Sequence, residues 1–365
     1  MKIGILTFHR ALNCGAMLQA WALKCFLEQQ GHSVGFINNH VGVIPRWFSF
    51  SMSCSFLGVI KGAAIAAVKN IGSFGCLDLA LKRFGNFQRN FLPEVDINEY
   101  ECIVVGSDQV WRPSLTKSET ALFRGENFPT RLPIISYAAS YGDNNISESD
   151  ILRLAESLDR WSALSVREDL VKNHLSRYIK KNIEVVADPT MLLDINDYSR
   201  IAVKKRLKKP YLFAYAVHAT PFFVKTATIM AKKLGLNLIM TSTSQYTRWG
   251  APKGMTYAVS PDMMIGYIQD AECVVASSFH GTVLSVIHKK PFVCLREDGF
   301  NPNARPVSFL IRIGEAQRVI TPSSTMARIV QLLRMGVSKS AEKKLDQFRL
   351  FSSSWLIETL KSSMR

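Results

Sequence analysis

The chain opens on an unbroken apolar run, residues 3–8. A polar loop follows, then apolar positions at helical spacing over 16–30, a glycine at 31, and a second short apolar run over 33–37. A short run that is apolar at every position predicts a strand buried on both faces, and strand, helix and strand in that order predict a parallel βαβ unit. Similar runs recur at 101–105, 133–138, 163–166 and 183–186, with helical patterns between them. Residues 1–190 are therefore expected to form one doubly wound Rossmann-like domain. Residues 41–92, rich in aromatics and glycine, interrupt it and read as a mostly helical insertion over that domain.

A polar, basic helical stretch over 196–209, stopped by Pro210, follows Asp188-Pro189-Thr190. Such a stretch suits a domain boundary, which we place near residue 190. A second alternating series then begins. Strands are expected at 211–217, 236–241, 273–276 and 292–295, and helices at 222–234, 262–269 and from about Gly281. Residues 191–325 thus read as a second Rossmann-like domain, and 326–365 as closing helices, with Ser323-Ser324-Thr325 as caps. The expected fold class is α/β with two parallel sheets.

Length and composition fit that layout: 365 residues exceed one ordinary core, and 47% hydrophobic with 20% charged residues is a globular balance that excludes a disordered chain. The first apolar run is too short for a signal-peptide core, and the stretch 56–68 is broken by Lys61, so no membrane span is expected. Seven cysteines, an odd number with no C-x-x-C pair, lie largely in apolar runs. That usage predicts free thiols and a cytoplasmic location, with neither a disulfide framework nor a zinc site. The net charge of +16 is uneven: residues 191–365 hold 25 Lys and Arg against 11 Asp and Glu, and residues 1–190 hold 20 against 18. A basic second half favours anionic partners. Nucleic acid is not expected, because no helix-turn-helix, zinc-finger or RNP pattern accompanies the charge.

The chain lacks G-x-x-x-x-G-K, G-x-G-x-x-G, H-E-x-x-H and G-x-S-x-G, which removes the main support for kinase, dehydrogenase, zinc-protease and serine-hydrolase readings. The strongest local signal is Ala276-Ser277-Ser278-Phe279-His280-Gly281-Thr282, where a buried strand passes into a helix. Open α/β sheets bind ligands at such carboxyl ends, and a helix N-terminus offers N–H groups to an anion. Ser278 and Gly281 become binding candidates there, with Gly281 allowing close backbone approach. His280 becomes the acid, base or phosphate donor. The plainer alternative is a histidine that caps the helix or satisfies a carbonyl.

Ser278-Phe279-His280-Gly281, followed by an apolar helix and Pro291-Phe292-Val293, resembles the C-terminal signature of the polysaccharide pyruvyl transferases. Asn13-Cys14-Gly15-Ala16-Met17-Leu18-Gln19 resembles that family's first loop and helix. Gly106-Ser107-Asp108-Gln109-Val110-Trp111, Ser165-Val166-Arg167-Glu168, Asp188-Pro189-Thr190, Ser260-Pro261 and Asn303-x-Arg305 follow in the family's order. The resemblance covers residues 3 to about 313. It implies a fold like the two-domain B-type glycosyltransferases, with the active site between the halves and the acceptor on the first domain. Phosphoenolpyruvate would be the donor, on the second domain, with no cofactor and no obligatory metal. The acceptor would be a sugar of a cell-surface polysaccharide or its lipid-linked precursor, and the product a pyruvate ketal. One departure stands out: many members carry Arg two places before the histidine, where this chain has Ser278.

Ketal formation needs a proton at the enol carbon and a grip on a carboxylate and a phosphate, which Arg forks match bidentately. Arg167 is the first candidate, with a salt bridge to Glu168 or Asp169 as the alternative; Arg305, which could replace the missing Arg, and Arg296 are weaker. Asn13 and Gly15 sit in a loop expected to face the cleft, although Asn13 equally suits a helix cap. Asp108 is a candidate base for a sugar hydroxyl. Gln109 and Trp111 could offer hydrogen bonds and a stacking face, against a capping Asp and a core Trp. Competing readings are a B-type glycosyltransferase using a nucleotide sugar and a non-catalytic glycan-binding relative. The basic clusters Lys204-Lys205-Arg206, Lys208-Lys209 and Lys343-Lys344 predict peripheral contact with the anionic inner face of the cell membrane.

Overall fold

The computed structural model describes residues 1–39, 76, 78–95, 100–126, 128, 132–142, 146–203, 209–243 and 253–363. They build two parallel sheets. The first contains β1 (Lys2–Leu6), β2 (Ser33–Phe36), β3 (Cys102–Val105), β4 (Ile134–Ala139), β5 (Ala163–Val166) and β6 (Ile183–Val185) in the order β2-β1-β3-β4-β5-β6. The second contains β7 (Tyr211–Ala216), β8 (Asn237–Ser242), β9 (Cys273–Ala276), β10 (Phe292–Leu295) and β11 (Val319–Ile320) in the order β11-β10-β9-β7-β8. Every residue of β3, β4, β7, β9 and β10 is buried, the physical counterpart of their unbroken apolar runs. In both sheets the chain runs outward to one edge and then returns past its first strand. The reversal leaves a crevice at the carboxyl ends between β1 and β3, and between β7 and β9.

The first helix, Cys14–Gln29, is buried over most of its surface because it packs on its own sheet and also against helices Pro261–Asp270 and Phe279–Ile287 of the second unit. Leu18, Tyr198, Met264 and Val283 share one apolar core, so the two sheets are joined by continuous hydrophobic packing. Six cysteines are described, all as free thiols. Among the described residues, no helix is long and apolar enough to cross a membrane.

Four sequence expectations need correction. The two-residue strand β11 was not anticipated. The closing segment 326–365 is not one unit. Helix Met326–Leu332 joins the core of the second sheet through Ile329 and Leu332, whereas helix Lys339–Ser362 packs on helix Arg305–Ile313 and also reaches the first domain. There Ser352 Oγ accepts the Ala187 N–H at 2.8 Å, Arg349 Nε donates to the Met191 carbonyl at 2.6 Å, and Trp355 lies 6.3 Å from the Tyr137 ring. Of the insertion 41–92, residues 41–75 and 77 lie outside the described residues. The helical run over 78–91 does not rest on the first domain alone, since Arg83 Nη1 donates to the carbonyls of Tyr257 and Ala258 at 3.3 and 3.0 Å. Helix Ile195–Ile201 is shorter than its expected 196–209, of which 204–208 lie outside the described residues.

Candidate active site between the two sheets

The loops that leave β3, β5 and β6 meet the one that leaves β9, each at the carboxyl end of its strand. Arg167 follows β5 and is fixed by its own N–H, which donates to the Ala139 carbonyl at 3.1 Å. Its guanidinium donates to Asp188 Oδ2 at 2.9 Å and to Glu168 Oε1 at 3.1 Å, lies 3.6 Å from Asp108 Oδ1, and covers the Phe279 ring at 4.9 Å. Burial disfavours the charge on Arg167, but Glu168, Asp188 and Asp108 more than offset that and raise its pKa. With its side chain 3% exposed, Arg167 is already committed to carboxylates of its own chain.

Asp188, fully buried, is the hub. Its Oδ1 accepts from the N–H and hydroxyl of Thr190 at 3.0 and 2.7 Å, and its Oδ2 from Ser107 Oγ at 3.2 Å and from Arg167. His280 Nε2 stands 3.6 Å from the same Oδ2. Burial alone would push this carboxyl up, yet His280, Arg167 and Thr190 hold it far below the usual carboxylate range. His280 is the second residue of helix Phe279–Ile287, whose start is capped by Ser278 Oγ accepting the Gly281 N–H at 2.9 Å. Behind the imidazole lies Gly15, where an added Cβ would come within 2.1 Å of Nδ1. A glycine there lets the second domain's histidine reach the first domain's Asp188.

Arg305 opens helix Arg305–Ile313 and approaches Asp108 Oδ1 at 3.7 Å. Burial and the neighbouring Arg167 lower its pKa, and Asp108, Glu168 and Asp188 offset this only in part. Asp108 adopts a left-handed backbone, φ 70°, a conformation that Asp tolerates better than most residues. Outside this cluster opens a cavity of about 370 Å³, walled by Arg112 and Glu168 of the first domain and by Ser277, Ser278, Arg296 and Arg305 of the second. Glu168 Oε2, on its wall, has no hydrogen-bond partner among the described residues, and in the cluster beside it Arg167 Nη2 and His280 Nε2 also lack one, each facing a carboxylate at 3.6 Å. Buried polar atoms are usually satisfied, so a cluster left open beside a cavity marks a ligand position. Among the described residues, no group of three or more His, Cys, Asp or Glu is arranged to hold a metal ion.

Residues 13–299 match the family model described as polysaccharide pyruvyl transferase. The chain belongs to that family. No curated protein matches the sequence. Among solved structures, UDP-GlcNAc 2-epimerase from Neisseria meningitidis bound to UDP-GlcNAc aligns with 99% of this chain and 100% of its own, with TM-score 0.53 and 11% identity. The Methanocaldococcus jannaschii UDP-GlcNAc 2-epimerase aligns over 94% of this chain and 98% of its own at 13% identity, TM-score 0.48. MurG from Acinetobacter baumannii aligns over 99% of each chain at 9% identity, TM-score 0.43. At 11% identity the Neisseria likeness is one of fold alone, two α/β units.

Within this member of the family, Asp108, Arg167, His280, Arg305 and Gly15 converge. Other sequence candidates do not. Trp111 is 2% exposed and packs edge-on to Trp161 at 6.2 Å, so it is a core residue and offers no stacking face. At Gly281 an added Cβ would meet Ser278 Oγ at 2.7 Å and the Tyr215 ring at 2.9 Å; this glycine serves helix packing rather than ligand approach. Asn13 takes its capping role, its Oδ1 accepting from Gly15 and Ala16 at 2.9 and 3.3 Å. Gln109 sits at the cavity rim, bonded to Arg112 at 3.2 Å and packed on Gly142. Arg296 lines the cavity and pairs with Asp298. The sequence reading did not assign Asp188 and Ser107 to the site, and it took Glu168 only as an ion-pair partner. Asp188-Pro189-Thr190 directly after a buried strand was the available signal, because an Asp at a carboxyl end faces the crevice.

Proposed function

We propose that this enzyme transfers pyruvate from phosphoenolpyruvate onto two hydroxyls of one sugar in a cell-surface polysaccharide or its lipid-linked precursor. The observation that carries the reading is a cavity whose wall presents Arg112, Arg296 and Arg305 together with the unpartnered Glu168 Oε2, next to the Arg167, Asp188 and His280 cluster. Phosphoenolpyruvate brings a carboxylate and a phosphate, which Arg305 and Arg296 would hold from the second domain. His280, whose Nε2 faces Asp188, is the source of the proton for the enol carbon. Asp108 is within reach of Arg305 and serves as base for the attacking hydroxyl. The two hydroxyl protons leave as one C–H of the new methyl group and one proton on phosphate. The ion pairs of Arg167 make it the residue that fixes Asp188 and Glu168, while Arg305, less fully paired, contacts the donor. It lines the same cavity as Ser278, which occupies the family's Arg position, and would replace that Arg.

Incubation with phosphoenolpyruvate and lipid-linked oligosaccharides should give phosphate and a pyruvylated product by mass spectrometry. Phosphate without product for every acceptor would count heavily against the reading. Thermal-shift screening should show stabilisation by phosphoenolpyruvate, and stabilisation by nucleoside diphosphates alone would favour nucleotide-sugar chemistry. Arg305→Lys should raise the donor's apparent Michaelis constant about tenfold with turnover less affected, because lysine keeps the charge and loses the fork. An unchanged donor constant would remove Arg305 from the donor site. Peripheral docking on anionic membranes completes the proposal: sedimentation with anionic vesicles should fall as salt rises.

A further inference from the structure

A second cavity of about 370 Å³ lies between the helix Asp169–Leu175 and the helix Arg305–Ile313, and no step above uses it. It shares Glu168, Leu170 and Asn303 with the cationic cavity. A small void lined by Arg167, Asp188 and Arg305 touches both, meeting one at Arg305 and the other at Ser308. The second cavity is therefore the immediate neighbour of the reaction centre, separated from it only by shared wall residues.

The two compartments differ in chemistry. The first presents Arg112, Arg296 and Arg305. In the second, the only cation on the wall among the described residues, Arg312, is neutralised by Asp169 at 2.7 Å across the domain junction. What remains is the Glu168 carboxylate, itself paired with Arg167 at 3.1 Å, the amide of Asn303, the hydroxyl of Ser308 and the aliphatic faces of Leu170 and Ile311, the last 44% exposed although apolar. Short hydrogen-bonding groups beside aliphatic patches, with charge cancelled, fit an uncharged polyhydroxylated chain and give an anion no net attraction.

We infer that this groove is a subsite for the glycan arm of the acceptor, holding sugars beyond the one that receives pyruvate. The inference rests on the pyruvyl-transfer reading for the identity of the neighbouring compartment. The enzyme then selects acceptors by length as well as by the reacting sugar.

The test is calorimetric titration of the full chain with glucose, galactose and mannose, each compared with its own disaccharide and tetrasaccharide. At least one series should tighten by about tenfold or more from monosaccharide to tetrasaccharide, and that gain should vanish in Ile311→Asp and weaken in Asn303→Ala. Both side chains are at the surface, so folding should survive, and in Ile311→Asp, which lies outside the cationic cavity, phosphoenolpyruvate binding, titrated separately, should stay unchanged. No series that tightens with length, or a gain that survives Ile311→Asp, overturns the groove. The two readings fail separately. Length-dependent binding without any pyruvylated product would sink the reaction and keep the groove, and equal transfer to monosaccharide and tetrasaccharide would do the reverse.

Discussion

Asp188→Asn should lower the melting temperature by on the order of 10 °C and leave almost no turnover. Removing one member of a buried ion pair costs about 3–5 kcal/mol, because the remaining charge stays buried without its partner. In a chain of this size each kcal/mol moves the midpoint by roughly 2–4 °C. Asn preserves the shape and can still accept from Thr190, but Arg167 loses its shortest ionic contact, at 2.9 Å, and His280 loses the carboxylate at 3.6 Å. The pH dependence identifies the cause. The folded carboxyl is held far below its ordinary value, so its contribution is complete above about pH 4–5 and is lost progressively as pH falls below about 4. Calorimetry of both proteins should show a constant gap near neutrality that narrows by up to about 1.4 kcal/mol per pH unit in acid. A gap that persists unchanged to pH 3 would mean that shape, not charge, is what Asp188 supplies.

Much of this fold was legible because parallel sheets covered on both faces leave a plain trace. Runs such as Cys273–Ala276 and Phe292–Leu295 are apolar at every position and could be placed to the residue. A strand of two residues, β11, has too few positions to form a pattern. The destination of helix Lys339–Ser362 could not be read either, since it depends on Ser352, Arg349 and Trp355 meeting the first domain far back in the chain. The candidate site was partly legible: the carboxyl-end rule marked His280 and Asp108, Arg167 was read at a strand end, and the family resemblance implied one cleft between the halves. Partnership was the hidden part. Arg167 could have been open to a ligand or committed to its own chain, and only the approach of β6 to β5 brings Asp188 to it. Trp111 failed because a core indole and a sugar-stacking indole are the same residue in a sequence. Its contact with Trp161 decides between them.

Gly15 is a sharper case, since a loop glycine in sequence turns out to be the seat of the His280 imidazole. Gly15→Ala should reduce turnover by about 10²–10⁴, close to the loss expected for His280→Ala, from which a general acid has been removed. Two effects of the added methyl compete. Alanine favours the first turn of helix Cys14–Gln29 by up to about 1 kcal/mol over glycine. Against that, its Cβ falls 2.1 Å from His280 Nδ1, and overpacking of this kind costs about 1–3 kcal/mol. The ring sits near the start of a fixed helix and can escape only by swinging away from Asp188, so the collision should win and Gly15→Ala should be the less stable protein. The double variant Gly15→Ala with His280→Ala separates contact from coincidence. With the ring gone the methyl has room, the helix preference is recovered, and the pair should be at least as stable as His280→Ala alone, with no further loss of turnover. Simple addition of the two stability losses, or a Gly15→Ala enzyme with near-normal turnover, would show that the imidazole does not need the space this glycine leaves.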